Sequence, residues 1–224
     1  MTESKEAMEH PILRDKAYLT IKQKLLHREI QPGERIREDL LAESVNMSRT
    51  PVREAISQLT TEGFIVNLPR KGLFCASISR EEMLDFLKIR EALEVLAVRE
   101  CIGRITDGEI ARLDEMLMDY EQALLSGDRH RASDLDSFFH MRIAELSKSR
   151  KLIRFIGEIG DFMSLARTQE RPELTSEEKA LSIRQHRSIF EAIRGRDIPR
   201  AVKAIRTNIL GMKRKLGLEE IIQG

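Results

Sequence analysis

Two groups of side chains in this 224-residue sequence have types and spacings suited to chemistry. In the first, Asp136 and His140 are four residues apart, so a helix carries both on one face. His186 lies in QHRSIFEAI, where Ile189 and Ile193 share its flank and turn it inward. Asn208 follows in AIRTNIL. A carboxylate and imidazoles projecting from different helices into a bundle core suit a divalent metal; zinc, nickel and manganese all accept such donors. The same residues also read as single buried histidines, each hydrogen-bonded to a carboxylate. The spacing alone leaves both readings open. The second group is Ser48-Arg49-Thr50-Pro51-Val52-Arg53-Glu54. Arg49 and Arg53 share a helix face, and an arginine fork grips guanine O6 and N7 together or a phosphate. The Ser48 and Thr50 hydroxyls suit phosphate contacts that set register rather than read bases.

The elements that hold these groups follow from the hydrophobic pattern. Ile12, Tyr18, Leu19, Ile21, Leu25 and Leu26 give one broad helical face over 11–29, closed by Pro32-Gly33. A short helix fits Glu38–Val45. A third opens at Ser48, tolerates Pro51 in its first turn and ends at Gly63, with Val52, Ala55, Ile56 and Leu59 as its apolar stripe. Two strand-like runs, Phe64–Leu68 and Leu73–Ser77, flank Pro69-Arg70-Lys71-Gly72. Three short helices and a hairpin with a basic tip describe a winged helix-turn-helix. Its third helix offers a positive N-terminal end to phosphate. Arg70 and Lys71 reach for the adjacent minor groove or backbone.

After Ile78 the texture changes. Ser79 begins an S-x-x-E capping box, and helical periodicity continues to Gly217 with short breaks. Six helices are predicted, at 80–103, 107–126, 129–147, 150–169, 175–195 and 198–216. Short loops between them favour an all-α antiparallel bundle of six or seven helices, so the fold class is mainly α. The domain boundary falls between a DNA-binding winged helix-turn-helix at 1–78 and a helical domain at 79–224.

Composition narrows the function classes. Two cysteines, Cys75 and Cys101, cannot build a disulfide framework or a four-cysteine zinc site. No apolar run approaches the ~18 residues that span a bilayer, so the expectation is a soluble, cytoplasmic protein with no membrane partner. The net charge of +1 excludes a polycation that coats nucleic acid. Local charge is left to act, because Arg49, Arg53, Arg70 and Lys71 gather around one helix and one hairpin.

The segment PGERIREDLLAESVNMSRTPVREAISQLTTEGFIVNLPRKGLF closely resembles the signature of the GntR family of bacterial transcriptional regulators. The match runs through Pro32, Gly33, Leu41, Ala42, Ser48 to Ala55, Leu59, Glu62, Gly63, Lys71 and Gly72. It implies double-stranded operator DNA as partner, contacted by Ser48, Arg49, Thr50, Arg53 and the wing. Asn46 stands where the family often carries Gly at the turn, and Asn tolerates a left-handed conformation. The second half resembles the FCD ligand-binding domain of the FadR-like branch. There an Asp-x-x-Phe-His motif and two later histidines form a metal site in the bundle. Asp136-Ser137-Phe138-Phe139-His140 and His186 match, whereas Asn208 stands in place of the third histidine. Asn is a weaker, neutral oxygen donor, which implies looser metal binding, a shell completed by water or effector, or no metal. The family's Ser-Gly-Asn segment is altered to Ser147-Lys148-Ser149.

The resemblance further implies a homodimer, repression as the commoner behaviour, and small organic-acid effectors. Arg90 and Arg167 are the candidates for an effector carboxylate, with a salt bridge to Glu94 as the competing role of Arg90 and a solvated surface position as that of Arg167. Two other function classes compete with this reading. A metal-dependent enzyme lacks support, since no nucleophile–base pair, phosphate loop or H-E-x-x-H appears. The other is an effector-free structural DNA-binding protein, which specific, salt-dependent operator binding and its response to effector separate from a regulator.

Overall fold

The computed structural model of the chain describes residues 3–166 and 174–218, with side chains from residue 12 onward apart from Ala166 and Lys215. Its contacts divide it into two compact units, Met1–Ser79 with Asp161–Gln169, and Arg80–Gly160 with Glu170–Gly224.

The first unit contains α1 (Glu3–Leu26), β1 (Arg35–Ile36), α2 (Glu38–Ser44), α3 (Arg49–Thr61), β2 (Ile65–Leu68) and β3 (Gly72–Cys75). Ala17, Ile21 and Leu25 recur every four residues along α1 and are fully buried; they face the Val52, Ala55, Ile56 and Leu59 stripe of α3. That packing buries one side of α3 and leaves the arginine side in solvent. The backbone at Asn46 is left-handed, with φ 52°, and turns the chain from α2 into α3. Gly63, at φ 88°, turns it out again toward the sheet. The sheet is antiparallel with strand order β1-β3-β2; Leu68 pairs with Gly72, and Ile36 with Leu73. The two-residue β1 was not expected from the sequence. Helix α1 also begins earlier than expected and continues through Pro11.

The second unit is helical. Its elements are α4 (Arg80–Ile102), α5 (Asp107–Ser126), α6 (Arg129–Leu146), α7 (Arg150–Ala166, to Gly160 in this unit), α8 (Ser176–Arg194) and α9 (Ile198–Lys215). The expected boundaries lie within two residues of these, save the end of the fourth helix, which falls outside the described residues. Thr106 with Glu109, and Thr175 with Glu178, form reciprocal capping boxes at the starts of α5 and α8. Asp128 and Asp197 cap α6 and α9 by accepting from Arg131 N–H and Arg200 N–H. Helix α4 packs on α6, α8 and α9, α5 on α6 and α8, and α8 on α9. Arg196 ties two loops together by donating to the carbonyls of Ile102 and Ile105. No helix among the described residues is long and apolar enough to cross a membrane.

Candidate functional site

In the first unit, Ser48 occupies the N-cap of α3 with an extended backbone, yet its side chain makes no capping hydrogen bond. The hydroxyl therefore stays available at an exposed helix start. Arg49 and Thr50 are exposed beside it. Arg53 is also exposed, and its Nε donates to Glu38 Oε2 of α2 at 2.8 Å. Glu38, Asp39, Arg49 and Arg53 line one cleft between α2 and α3. Arg37 holds the Asp39 carboxyl below its usual range through a hydrogen bond of 2.8 Å. Arg70, with φ 63°, and Lys71 sit exposed in the turn between β2 and β3. Sequence reasoning missed Arg35. Its guanidinium lies against Gly72, 3.7 Å from where a Cβ would stand, and adds a third cation to the wing. The only signal was indirect, since β1 is too short to show a strand pattern.

In the second unit, α6 supplies Asp136 and His140 and α8 supplies His186; one donor atom from each lies within 4.8 Å of the others. Both histidines are buried, and so is Asn208 on α9. The hydrogen bonds decide which ring nitrogens face this cluster. His186 Nδ1 lies 2.8 Å from the Ser182 carbonyl, so it carries the proton and donates. Its Nε2 then holds a lone pair, and it lies 3.1 Å from Asp136 Oδ1 without a hydrogen bond. In a neutral ring, two acceptors then face each other. His140 Nδ1 lies 2.8 Å from Glu94 Oε2 of α4. The approach is bent rather than linear, but neither atom has another hydrogen-bond partner, and His140 Nε2 has none at all. Asn208 Oδ1 is likewise buried without a partner. Such atoms are costly to bury unsatisfied.

Behind His140 stands a buried ion pair. Arg90 Nε donates to Glu94 Oε1 at 2.5 Å, and Arg90 Nη1 approaches Met212 Sδ at 3.6 Å. Burial alone would raise the Glu94 pKa; the Arg90 charge and His140 outweigh it and hold the carboxyl down at about 2. For Arg90, burial opposes the charge, and the carboxylates of Glu94 and Asp136 overcome it. Arg90 thus adopts the competing role, that of a salt bridge to Glu94. Arg167 lies outside the described residues.

Comparison with known proteins gives this geometry its setting. The model of the gntR family of bacterial regulatory proteins matches residues 13–75, and that of the FCD domain matches residues 85–210. The chain belongs to the GntR family. As a GntR protein with an FCD domain it is a DNA-binding transcriptional regulator. It is 37% identical over 139 residues to the Nta operon transcriptional regulator of Aminobacter aminovorans, covering 61% of this chain and 65% of that relative. It is 30% identical over 179 residues to the HTH-type transcriptional regulator YdhC of Bacillus subtilis, covering 79% of each chain. Its fold is similar to that of Escherichia coli McbR/YncC, with TM-score 0.81 and 22% identity over 92% of this chain and 96% of that one. These relatives and neighbours are regulators rather than enzymes. In GntR terms, α2, α3 and the β2–β3 hairpin belong to the DNA-binding module, and α6 and α8 carry the Asp and His cluster inside the FCD match.

Proposed function

We propose that this GntR regulator represses transcription as a homodimer, and that a small carboxylate bound at a divalent metal in the helical unit modulates its hold on operator DNA. The observation that carries the reading is the convergence of unpartnered lone pairs on His140 and His186 with the Asp136 carboxylate. A positive ion answers all three, with zinc, nickel or manganese suited to the donors and Asn208 Oδ1 as a further neutral one. The buried charges support the effector class. With neutral imidazoles, Arg90, Glu94 and Asp136 sum to −1; a divalent ion makes this +1, which one carboxylate neutralises. Such an ion supplies a positive anchor for that carboxylate. Arg90, whose Nε and Nη1 already meet Glu94 and Met212, is the protein donor proposed for the same group, with Arg167 as the second candidate.

On the DNA side, Arg49 and Arg53 enter a major groove, Ser48 and Thr50 hold phosphates, and Arg70 and Lys71 steady the wing. A dimer presents two such heads to a pseudo-palindromic operator. Half-exposed Ile89 and Leu96, seven residues apart on one face of α4, support a subunit contact.

Two measurements test the proposal. In a gel shift against DNA upstream of its own operon, Arg49→Ala and Arg53→Ala each weaken specific binding about 5–100-fold, the value of a bidentate base contact. Binding equal to the parent's overturns the assignment of α3. Elemental analysis of protein purified without chelators finds a divalent metal that His186→Ala removes. Metal content unchanged by that substitution rejects the site.

A further inference from the structure

A histidine binds metal through a ring nitrogen that carries no proton, so something must keep the proton on the other nitrogen. For His186 the backbone does this, through the Ser182 carbonyl. For His140 no carbonyl is in place; Glu94 Oε2 faces its Nδ1 instead. Glu94 is in turn fixed from the opposite side, because Arg90 Nε donates to its other oxygen. The three side chains come from two helices, all are buried, and they form an ordered chain from guanidinium to carboxylate to imidazole.

We infer that Glu94 is a positioning residue: it holds the proton of His140 on Nδ1 and so turns the lone pair of Nε2 into the Asp136–His186 cluster, with Arg90 fixing the orientation of Glu94. The inference builds on the proposed metal site for its consequence, but the proton's position is readable without any metal. A carboxylate accepts on both oxygens, so it serves Arg90 and His140 together. An amide does not. In Glu94→Gln, Arg90 can only donate, so the amide oxygen must turn toward Arg90. The amide nitrogen then faces His140 Nδ1 and donates to it. Nδ1 becomes an acceptor, the proton moves to Nε2, and the metal-facing lone pair is lost. The substitution preserves shape and both contacts while inverting the tautomer.

The test uses full-length protein labelled with 15N at histidine, in metal-free form, with circular dichroism and thermal unfolding as checks of the fold. The 15N shifts of His140 are expected to show a protonated Nδ1 and bare Nε2 in the parent, and the reverse in Glu94→Gln. Zn2+ affinity, by competition with a chromogenic chelator, falls about 10–100-fold in that variant. Arg90→Met with Glu94→Gln removes the donor that dictates the amide's direction. The amide oxygen then turns back to His140, the parent tautomer returns, and Zn2+ affinity recovers to within a few-fold of the parent. A double variant that binds as weakly as Glu94→Gln, or an unchanged His140 tautomer in the single one, overturns the positioning role. Tautomers that behave as expected in a parent that binds no Zn2+ support the positioning role and overturn the metal site instead. The double variant also serves should Glu94→Gln fail to fold, since it leaves no buried guanidinium unpaired.

Discussion

Asn208 is buried on α9 with its Oδ1 unpartnered, and it stands where the resemblance calls for a histidine. A buried acceptor left without a donor costs about 1–3 kcal/mol, so the fold tolerates it where a cation or ligand completes it. An amide oxygen is a harder and weaker donor than imidazole nitrogen. At the level of the single residue this predicts that Asn208→His tightens Zn2+ binding by about tenfold or more in chelator competition. Affinity equal to the parent's would place residue 208 outside the coordination shell. Arg90 carries a related lesson. Its buried guanidinium faces Glu94 and Met212, so two of its donors already serve the protein's own groups.

Among the elements, the turn between α6 and α7 is one of several that hold local strain. Lys148 has φ 60°, a conformation that a side chain disfavours by about 1–2 kcal/mol and glycine does not. The loop nevertheless keeps its shape, since Lys148 N–H donates to the Glu145 carbonyl and Arg104 donates to that of Ser147. Lys148→Gly is therefore expected to raise stability by up to about 1 kcal/mol in urea unfolding, with metal content unchanged. A fall in stability would mean that the lysine side chain makes a compensating contact. Most elements were legible beforehand because their apolar residues follow a helical period and their ends carry Ser, Thr, Asp or Gly. Helix α3 was legible through Val52, Ala55, Ile56 and Leu59, which define the arginine face by default. Strand β1 was not, because two residues carry no period. The Arg90–Glu94 pair was visible as an i,i+4 spacing, whereas the Glu94–His140 contact joins helices distant in sequence. Helix phase says which face is buried, not which neighbour it meets.

For the whole molecule, the regulation proposed above requires that ligand binding in one unit alter DNA binding by the other. A ligand shifts such an equilibrium only by its differential affinity for the DNA-competent and incompetent states, and DNA must alter effector affinity by the same factor. Net charge plays little part in this. Residues 1–79 carry 12 Lys and Arg against 11 Asp and Glu, so bulk attraction is weak and the specificity proposed here falls to a few placed arginines. The proposed state of the protein is a homodimer with a metal-centred ligand site in each chain. Native mass spectrometry of full-length protein, purified without chelators, reads both quantities at once. The predicted spectrum is a dimer carrying one divalent ion per chain, with the ions lost in His186→Ala while the dimer remains. A monomer, or a dimer of metal-free mass that gains no Zn2+ on titration, would contradict it.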